Sequence, residues 1–288
     1  MERKLGVNTW VWTSPLTDDA LPELAARIAS LGFTAIELPL ENLGDWDPKR
    51  TAGVLAKHSL APVVVGAMSP GRNLVSAPDA EIAATRDYLR GLIEAAATLG
   101  ASTVAGPFYA ATGRTWSMNE VHRRATYVQL RENLAPLAAH AAAHGVSLAI
   151  EPLNRYETSL INTVDQAVDA LEPLLGDGLG IALDSYHLNI EEQDIAAAVA
   201  RATGHIAHVQ VCGNDRGTVG ADHFDWHGFI RALDLAGYTG PLCVESFTPD
   251  NASIAVAASI WRPLASTQDA LAADSLGYLT NLQTGGLR

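Results

Sequence analysis

A closed (β/α)₈ barrel, built as a single domain over residues 1–288, is the architecture expected of this chain, on three grounds. Short apolar runs rich in β-branched residues alternate with longer alanine-rich amphipathic runs, and eight such pairs follow one another. Strand-then-helix repetition makes the strands parallel, because each helix carries the chain back across the sheet. No Pro/Gly/Ser-rich linker divides the 288 residues, a length that such barrels reach as one unit.

The elements follow in order. Residues 5–12 read as the first strand, and residues 17–31 as a helix opened by Thr17-Asp18-Asp19 and stopped by Gly32. Strands are expected at 35–40, 61–67, 102–106, 147–151, 179–184, 206–211 and 242–245. Helices are expected at 47–58, 79–99, 119–144, 163–174, 195–202, 226–235 and 266–282. Gly100 and Gly145 end two of the longest helices, where a left-handed residue closes the last turn.

Composition narrows the partners. A formal net charge of −13 repels phosphate backbones and anionic lipid, so neither nucleic acid nor membrane is expected. No apolar run reaches the ~18 residues of a membrane span, and the N-terminus lacks the apolar stretch of a signal peptide. Two cysteines, Cys212 and Cys243, suit free thiols in a reducing cytoplasm, and neither is assigned a catalytic part. There is no G-x-G-x-x-G or Walker-type phosphate loop, which favours a substrate without phosphate, although Arg72, Arg114 and Arg216 bear on that point.

Barrel chemistry collects at the C-terminal ends of the strands. In the second half these ends carry Glu151, Asp184, Gln210 and Glu245. One such acid would be an ordinary cap or loop carboxylate. Three around one barrel mouth repel each other unless a cation neutralises them, and an all-oxygen set suits Mn²⁺, Mg²⁺ or Co²⁺. His208, two residues before Gln210, shares its face of the strand one layer deeper and is the competing ligand.

Several stretches go further. Glu151-Pro152-Leu153-Asn154-Arg155-Tyr156-Glu157-Thr158, the run Asp184-Ser185-Tyr186-His187-Leu188-Asn189, Asn214-Asp215-Arg216-Gly217 and Val244-Glu245-Ser246-Phe247 together resemble the sugar isomerase/epimerase family with the xylose isomerase-like barrel, most of all its ketose 3-epimerase branch. Gly32-Phe33 followed by Ile36-Glu37 extends the match towards the start. The resemblance implies one divalent ion, Mn²⁺ first and Co²⁺ or Mg²⁺ as alternatives, held by Glu151, Asp184, Gln210 and Glu245. It implies that Glu151 and Glu245 double as acid and base, and that Glu157, His187 and Arg216 hold substrate oxygens. It also implies a homodimer or homotetramer acting on a small keto-sugar. One position departs: tagatose- and allulose-type epimerases carry a histidine where this chain has Gln210, as hydroxypyruvate isomerase-like relatives do not. Aldose–ketose isomerisation, or a lyase acting on a keto-cyclitol or keto-glycoside, therefore stands as the alternative.

The other candidates each have a plain reading beside the functional one. Trp12 and Phe108 are expected as an apolar wall against sugar carbons, with barrel core as the alternative, and Trp10 divides evenly between site and core. Glu37, at the end of the second strand, has the same ambiguity with its position favouring the site. His223 is read as part of a helix start.

Overall fold

In the computed structural model, which describes residues 2–285, the sheet is one closed barrel whose eight parallel strands run in sequence order. The strands are β1 (Leu5–Asn8), β2 (Ala35–Leu40), β3 (Ala61–Gly66), β4 (Thr103–Gly106), β5 (Ser147–Ile150), β6 (Leu179–Asp184), β7 (Ile206–Val211) and β8 (Leu242–Val244). The helices are α1 (Leu21–Leu31), α2 (Pro48–His58), α3 (Asp79–Leu99), α4 (Glu120–Ala143), α5 (Val164–Leu171), α6 (Ser185–Glu191), α7 (Ile195–Arg201), α8 (Trp226–Leu235), α9 (Ala252–Ala257) and α10 (Gln268–Thr284). None of the described helices is long and apolar enough to cross a membrane.

The helix starts follow local chemistry. Asp47, Asn119, Thr163, Asp194, Asp225 and Thr267 each accept a hydrogen bond from the first turn of the helix they precede. Gly32 and Gly100, at φ 107° and 79°, take the left-handed conformation that closes α1 and α3.

Alternation along the strands divides the molecule into two compartments. Val7, Ile36, Leu38, Val64, Val104, Leu148, Ile150, Ile181, Leu183, Val209, Val211 and Val244 point outward and share one core with the helices. The alternate residues fill the barrel. Ala105, Ala149 and Ala182 pack together on its axis, so the interior below the mouth is narrow. Gly6 keeps β1 close to β8, since a Cβ there would lie 2.6 Å from Cys243 Sγ.

Two expectations change. The first strand stops at Asn8, four residues short, because the Asn8 side chain accepts the Trp10 N–H at 2.8 Å and turns the chain into a 3₁₀ turn over Thr9–Val11. Two short helices, α6 and α9, stand where loops were expected.

Gly178, just before β6, fixes how closely α4 lies on the barrel, since a Cβ would fall 2.0 Å from the Ala138 carbonyl oxygen. Backbone cannot yield as a flexible side chain would, so Gly178→Ala should cost about 3 kcal/mol. Gly53, in α2 with nothing near its missing Cβ, is the control. Gly53→Ala should be neutral or stabilising by up to about 1 kcal/mol. Urea unfolding of the two variants reads the contrast, and equal effects would refute the close-approach argument.

Candidate active site

The mouth of the barrel opens into a cavity of about 680 Å³ whose floor carries Glu151, His187, Arg216 and Glu245. Glu151 and Glu245 each sit one residue past a strand and are held there by ladder hydrogen bonds. The Glu151 N–H donates to Gly106 O and the Glu245 N–H to Val211 O, at 3.1 and 3.0 Å. Asp184 ends β6 and caps α6, accepting the Tyr186 N–H at 2.8 Å. That cap explains α6: the carboxylate that ends the strand also starts the helix, and so places His187 over the floor.

All three carboxylates are buried. Arg216 gathers two of them, with Nη1 on Glu245 Oε2 at 2.8 Å and in a short contact with Asp184 Oδ2. The arginine reaches inward from a left-handed residue (φ 67°), its guanidinium over the Tyr186 ring at 4.2 Å. Ser246 Oγ, donating to Arg216 O at 2.7 Å, holds that turn.

The electrostatics separate the acids. Burial would raise Asp184, but Arg216, His187 and the Tyr186 N–H together hold it below the ordinary aspartate value. Burial and the charges of Glu245 and Asp184 push Glu151 well above the usual range, against the opposing pull of Arg216. Burial also pushes Glu245 well up, with Arg216 opposing and Asp184 adding to the rise. One acid is thus a fixed anion, and the two glutamates are groups that take up protons readily.

His187 is neutral in the working range, pulled down to about 4 by burial and by the positive charge of Arg216. Its Nδ1 accepts the Asn154 backbone N–H at 3.0 Å, which puts the ring proton on Nε2, 3.4 Å from Glu151 Oε1. Arg216 Nη2 lies 3.1 Å from that same Nε2, so two N–H groups face one another. Glu157 lines the cavity beside them and accepts from Asn154 Nδ2 at 2.7 Å.

Beneath the floor lies a buried polar layer. Gln210 Nε2 donates to Glu245 Oε1 at 2.7 Å and to Glu37 Oε2 at 3.0 Å. Gln210 Oε1 is buried without a hydrogen-bond partner among the described residues. His208 does not reach the floor; its Nε2 meets Glu37 Oε1 at 2.5 Å, one layer down.

The residues present fit a hard divalent cation. Ligand atoms of Glu151, Asp184 and His187 lie within 4.8 Å of one another. The carboxylates supply the charge that a dication would balance, and Gln210 Oε1 is an oxygen donor otherwise left bare. A second group, Glu37, His208 and Cys243, is equally compact.

Of the expected site residues, the structure brings Glu151, Glu157, His187, Arg216 and Glu245 to the cavity, with Asp184 and Gln210 directly behind. Glu37 lies in the layer below, touching the floor through Gln210. Trp12 and Phe108 are elsewhere. Trp12 leaves the 3₁₀ turn towards α10 and donates from Nε1 to Asp269 Oδ1 at 2.8 Å. Phe108 is fully buried, because its N–H bonds to Gly106 O at 3.0 Å and the tight turn folds the ring back over Gly66 and Gly106. Trp10, paired with Phe247 at 5.6 Å between ring centroids, forms the apolar wall in their place. Phe247 was not singled out, although its place two residues after Glu245 was a signal for it. Glu41 was missed as well; it lines the far wall, accepting from Trp10 Nε1 at 2.9 Å and Ser14 Oγ at 2.5 Å.

Known proteins are similar to this one along nearly the whole chain. A ketose 3-epimerase of Arthrobacter globiformis is 29% identical, covering 98% of this chain and 97% of its own. A solved L-ribulose 3-epimerase superposes with a TM-score of 0.90 at 28% identity, over 98% of this chain and 95% of its own. A D-allulose 3-epimerase from Methylomonas sp., solved with D-allulose, gives a TM-score of 0.86 at 25% identity, over 97% and 96%. The family model described as the xylose isomerase-like TIM barrel matches residues 25–281, from within α1 to within α10. With the closed eight-stranded sheet and that match spanning it, the chain belongs to the xylose isomerase-like TIM barrel family.

Proposed function

We propose that this protein is a metal-dependent ketose 3-epimerase acting on a free ketohexose or ketopentose. The observation that carries the reading is the placing of the buried acids: Asp184 is tied to Arg216 and the Tyr186 N–H, while Glu151 and Glu245 both line the cavity. Two proton-exchanging carboxyls from strands three apart in the barrel are what inversion at a carbon next to a ketone requires. The names of the relatives support the same reaction.

Glu151, Asp184, Gln210 and Glu245 are the residues that would hold the ion, with Mn²⁺ first and Co²⁺ or Mg²⁺ as alternatives. Bound there, a divalent cation supplies Lewis acidity that stabilises negative charge on the oxygens beside the reacting carbon. The protein does the rest. One glutamate takes the C3 proton from one face of the sugar, and the other returns a proton to the opposite face of the planar enediolate. His187 Nε2–H and the Arg216 guanidinium donate to substrate oxygens, and Glu157 accepts from a hydroxyl. Trp10 and Phe247 cover the sugar carbons and thin the water around the exchanging proton. Free thiols buried at Cys212 and Cys243 support a cytoplasmic setting. Val121 and Val128, exposed seven residues apart on α4, support assembly into a homodimer or homotetramer.

The chelator-stripped protein should be inactive, and Mn²⁺, Co²⁺ or Mg²⁺ should restore it. In D₂O the restored enzyme should place deuterium at C3 of fructose, allulose, tagatose, ribulose or xylulose, with the new epimer visible by NMR. Glu151→Gln or Glu245→Gln should lower kcat by ~10²–10⁴-fold. Label at C1 or C2 with an aldose product would assign an isomerase instead. A change of product mass would assign a lyase.

Arg216 is the cation that the metal-free acids have. In the stripped protein Arg216→Met should therefore cost about 3 kcal/mol by urea unfolding, the low end for breaking a buried pair, because Glu245 can take a proton instead. Added Mn²⁺ should recover most of that loss. A loss unaffected by metal would mean that Arg216 acts through packing alone.

A further inference from the structure

We propose that Glu37 is a positioning residue that fixes the side-chain amide of Gln210, so that its carbonyl oxygen is the atom offered to the ion. The inference rests on the metal reading given above and concerns a residue that no part of the proton exchange uses.

Glu37 is fully buried on the barrel axis, and no arginine or lysine touches it. It is satisfied by hydrogen bonds instead. Its Oε2 accepts from Asn8 Nδ2 at 2.7 Å and from Gln210 Nε2 at 3.0 Å, and its Oε1 meets His208 Nε2 at 2.5 Å. An ion at Glu37, His208 and Cys243 would have to displace the bond between His208 Nε2 and Glu37 Oε1.

The direction of each amide can be traced from the backbone. Asn8 Oδ1 accepts the Trp10 N–H at 2.8 Å, which leaves only the Asn8 NH₂ to face Glu37. Glu37 thereby presents a fixed acceptor to Gln210. Gln210 Nε2 is then held between two carboxylate oxygens, one of Glu37 and one of Glu245. Flipping that amide would set its oxygen against Glu37 Oε2, an acceptor already fixed by Asn8 Nδ2, and would lose the bond that Nε2 makes there. One orientation survives, and it strands Gln210 Oε1 as a buried acceptor with no partner. A stranded carbonyl is costly in a protein interior unless something cationic or hydrogen-donating meets it. The chain of restraint therefore runs Trp10 N–H, Asn8, Glu37, Gln210, and ends on Gln210 Oε1, an oxygen with no partner among the described residues.

The test separates reach from charge. Glu37→Gln keeps an oxygen in reach of Gln210 and loses the charge; the new NH₂ can face His208, whose ring accepts by changing tautomer. Glu37→Asp keeps the charge and loses the reach. Mn²⁺ affinity of stripped protein, by titration calorimetry, should stay within about threefold of wild type for Glu37→Gln. It should weaken by ~10–100-fold for Glu37→Asp, the range for removing a partner that orients a ligand. In a Gln210→Ala background, itself weaker for Mn²⁺, Glu37→Asp should have no further effect. The reverse ranking, with Gln weak and Asp near wild type, would show that Glu37 contributes charge and overturn the proposal. So would equal losses accompanied by a matching fall in Tm, additivity with Gln210→Ala, or unchanged affinity in Gln210→Ala alone. Wild-type protein that binds no Mn²⁺ would bring down the metal reading itself, a different failure from any of these.

Discussion

Three carboxylates brought to one buried barrel mouth are the constraint from which the rest of the site follows. Like charges at this separation and burial cannot all stay ionised without a counter-charge. The chain answers in three ways at once. Two glutamates are left free to protonate, Asp184 is held down by Arg216 and a helix N–H, and the guanidinium is driven in from a left-handed turn to reach two acids together. Each answer has a structural cost that makes sense only if the acids are needed: a residue in a sparsely populated backbone region, an imidazole facing an arginine N–H, and a helix of seven residues whose start is a carboxylate.

The barrel sorts these parts by depth because strand residues two apart share a face and lie one layer apart. Small residues close the axis at Ala105, Ala149 and Ala182. On β2, β7 and β8 the same inward face carries Glu37, His208 and Cys243, and next above them Gln210 and Glu245. The mouth is thus supported by a polar layer rather than by hydrocarbon. Most of its donors and acceptors are paired within it, Gln210 Oε1 and His208 Nδ1 excepted among the described residues, and the Gln210 amide joins it to Glu245 above.

Periodicity made the outer architecture legible. Expected and observed bounds coincide for Asp79–Leu99, Leu179–Asp184, Ile206–Val211 and Trp226–Leu235, where an apolar face and a sharp terminator fall together. The carboxylates at the strand ends were legible for a related reason, since strand parity alone aims them inward. Parity lapses where the chain leaves a strand in a tight turn. Trp12 and Phe108 follow a 3₁₀ turn and a tight i→i+2 turn, and both rings swing away from the mouth that simple alternation would give them. The helix α6 was hidden because its cap, Asp184, was already spoken for as a strand end, and α9 is too short to show a period. Arg216 and His187 stood out only through their resemblance to a family, because ring and guanidinium reach the floor by loop geometry that no spacing encodes.

This division between strand and loop bears on substrate choice. In the proposed reaction the proton exchange concerns one carbon and its neighbours, which face the carboxylates of the strand ends. A ketohexose has about twelve heavy atoms, and even at the ~30 Å³ that a water occupies in the liquid it fills roughly 360 Å³. The cavity is about 680 Å³, so much of it lies beyond the reacting end of such a sugar. The lining also includes Glu41 and Ser14 and, from α9, Ile254 and Val256, residues set by turns and a short helix rather than by the sheet. Because the floor asks only for a ketone with a neighbouring hydroxyl, it discriminates little among ketoses that share that end. Discrimination falls to contacts with the distal carbons, where a carboxylate that hydrogen-bonds a hydroxyl rejects an analogue lacking it far better than an apolar wall rejects an extra methylene. Under the proposed reaction Glu41, a cavity-wall carboxylate held by Trp10 Nε1 and Ser14 Oγ, is placed for such a contact.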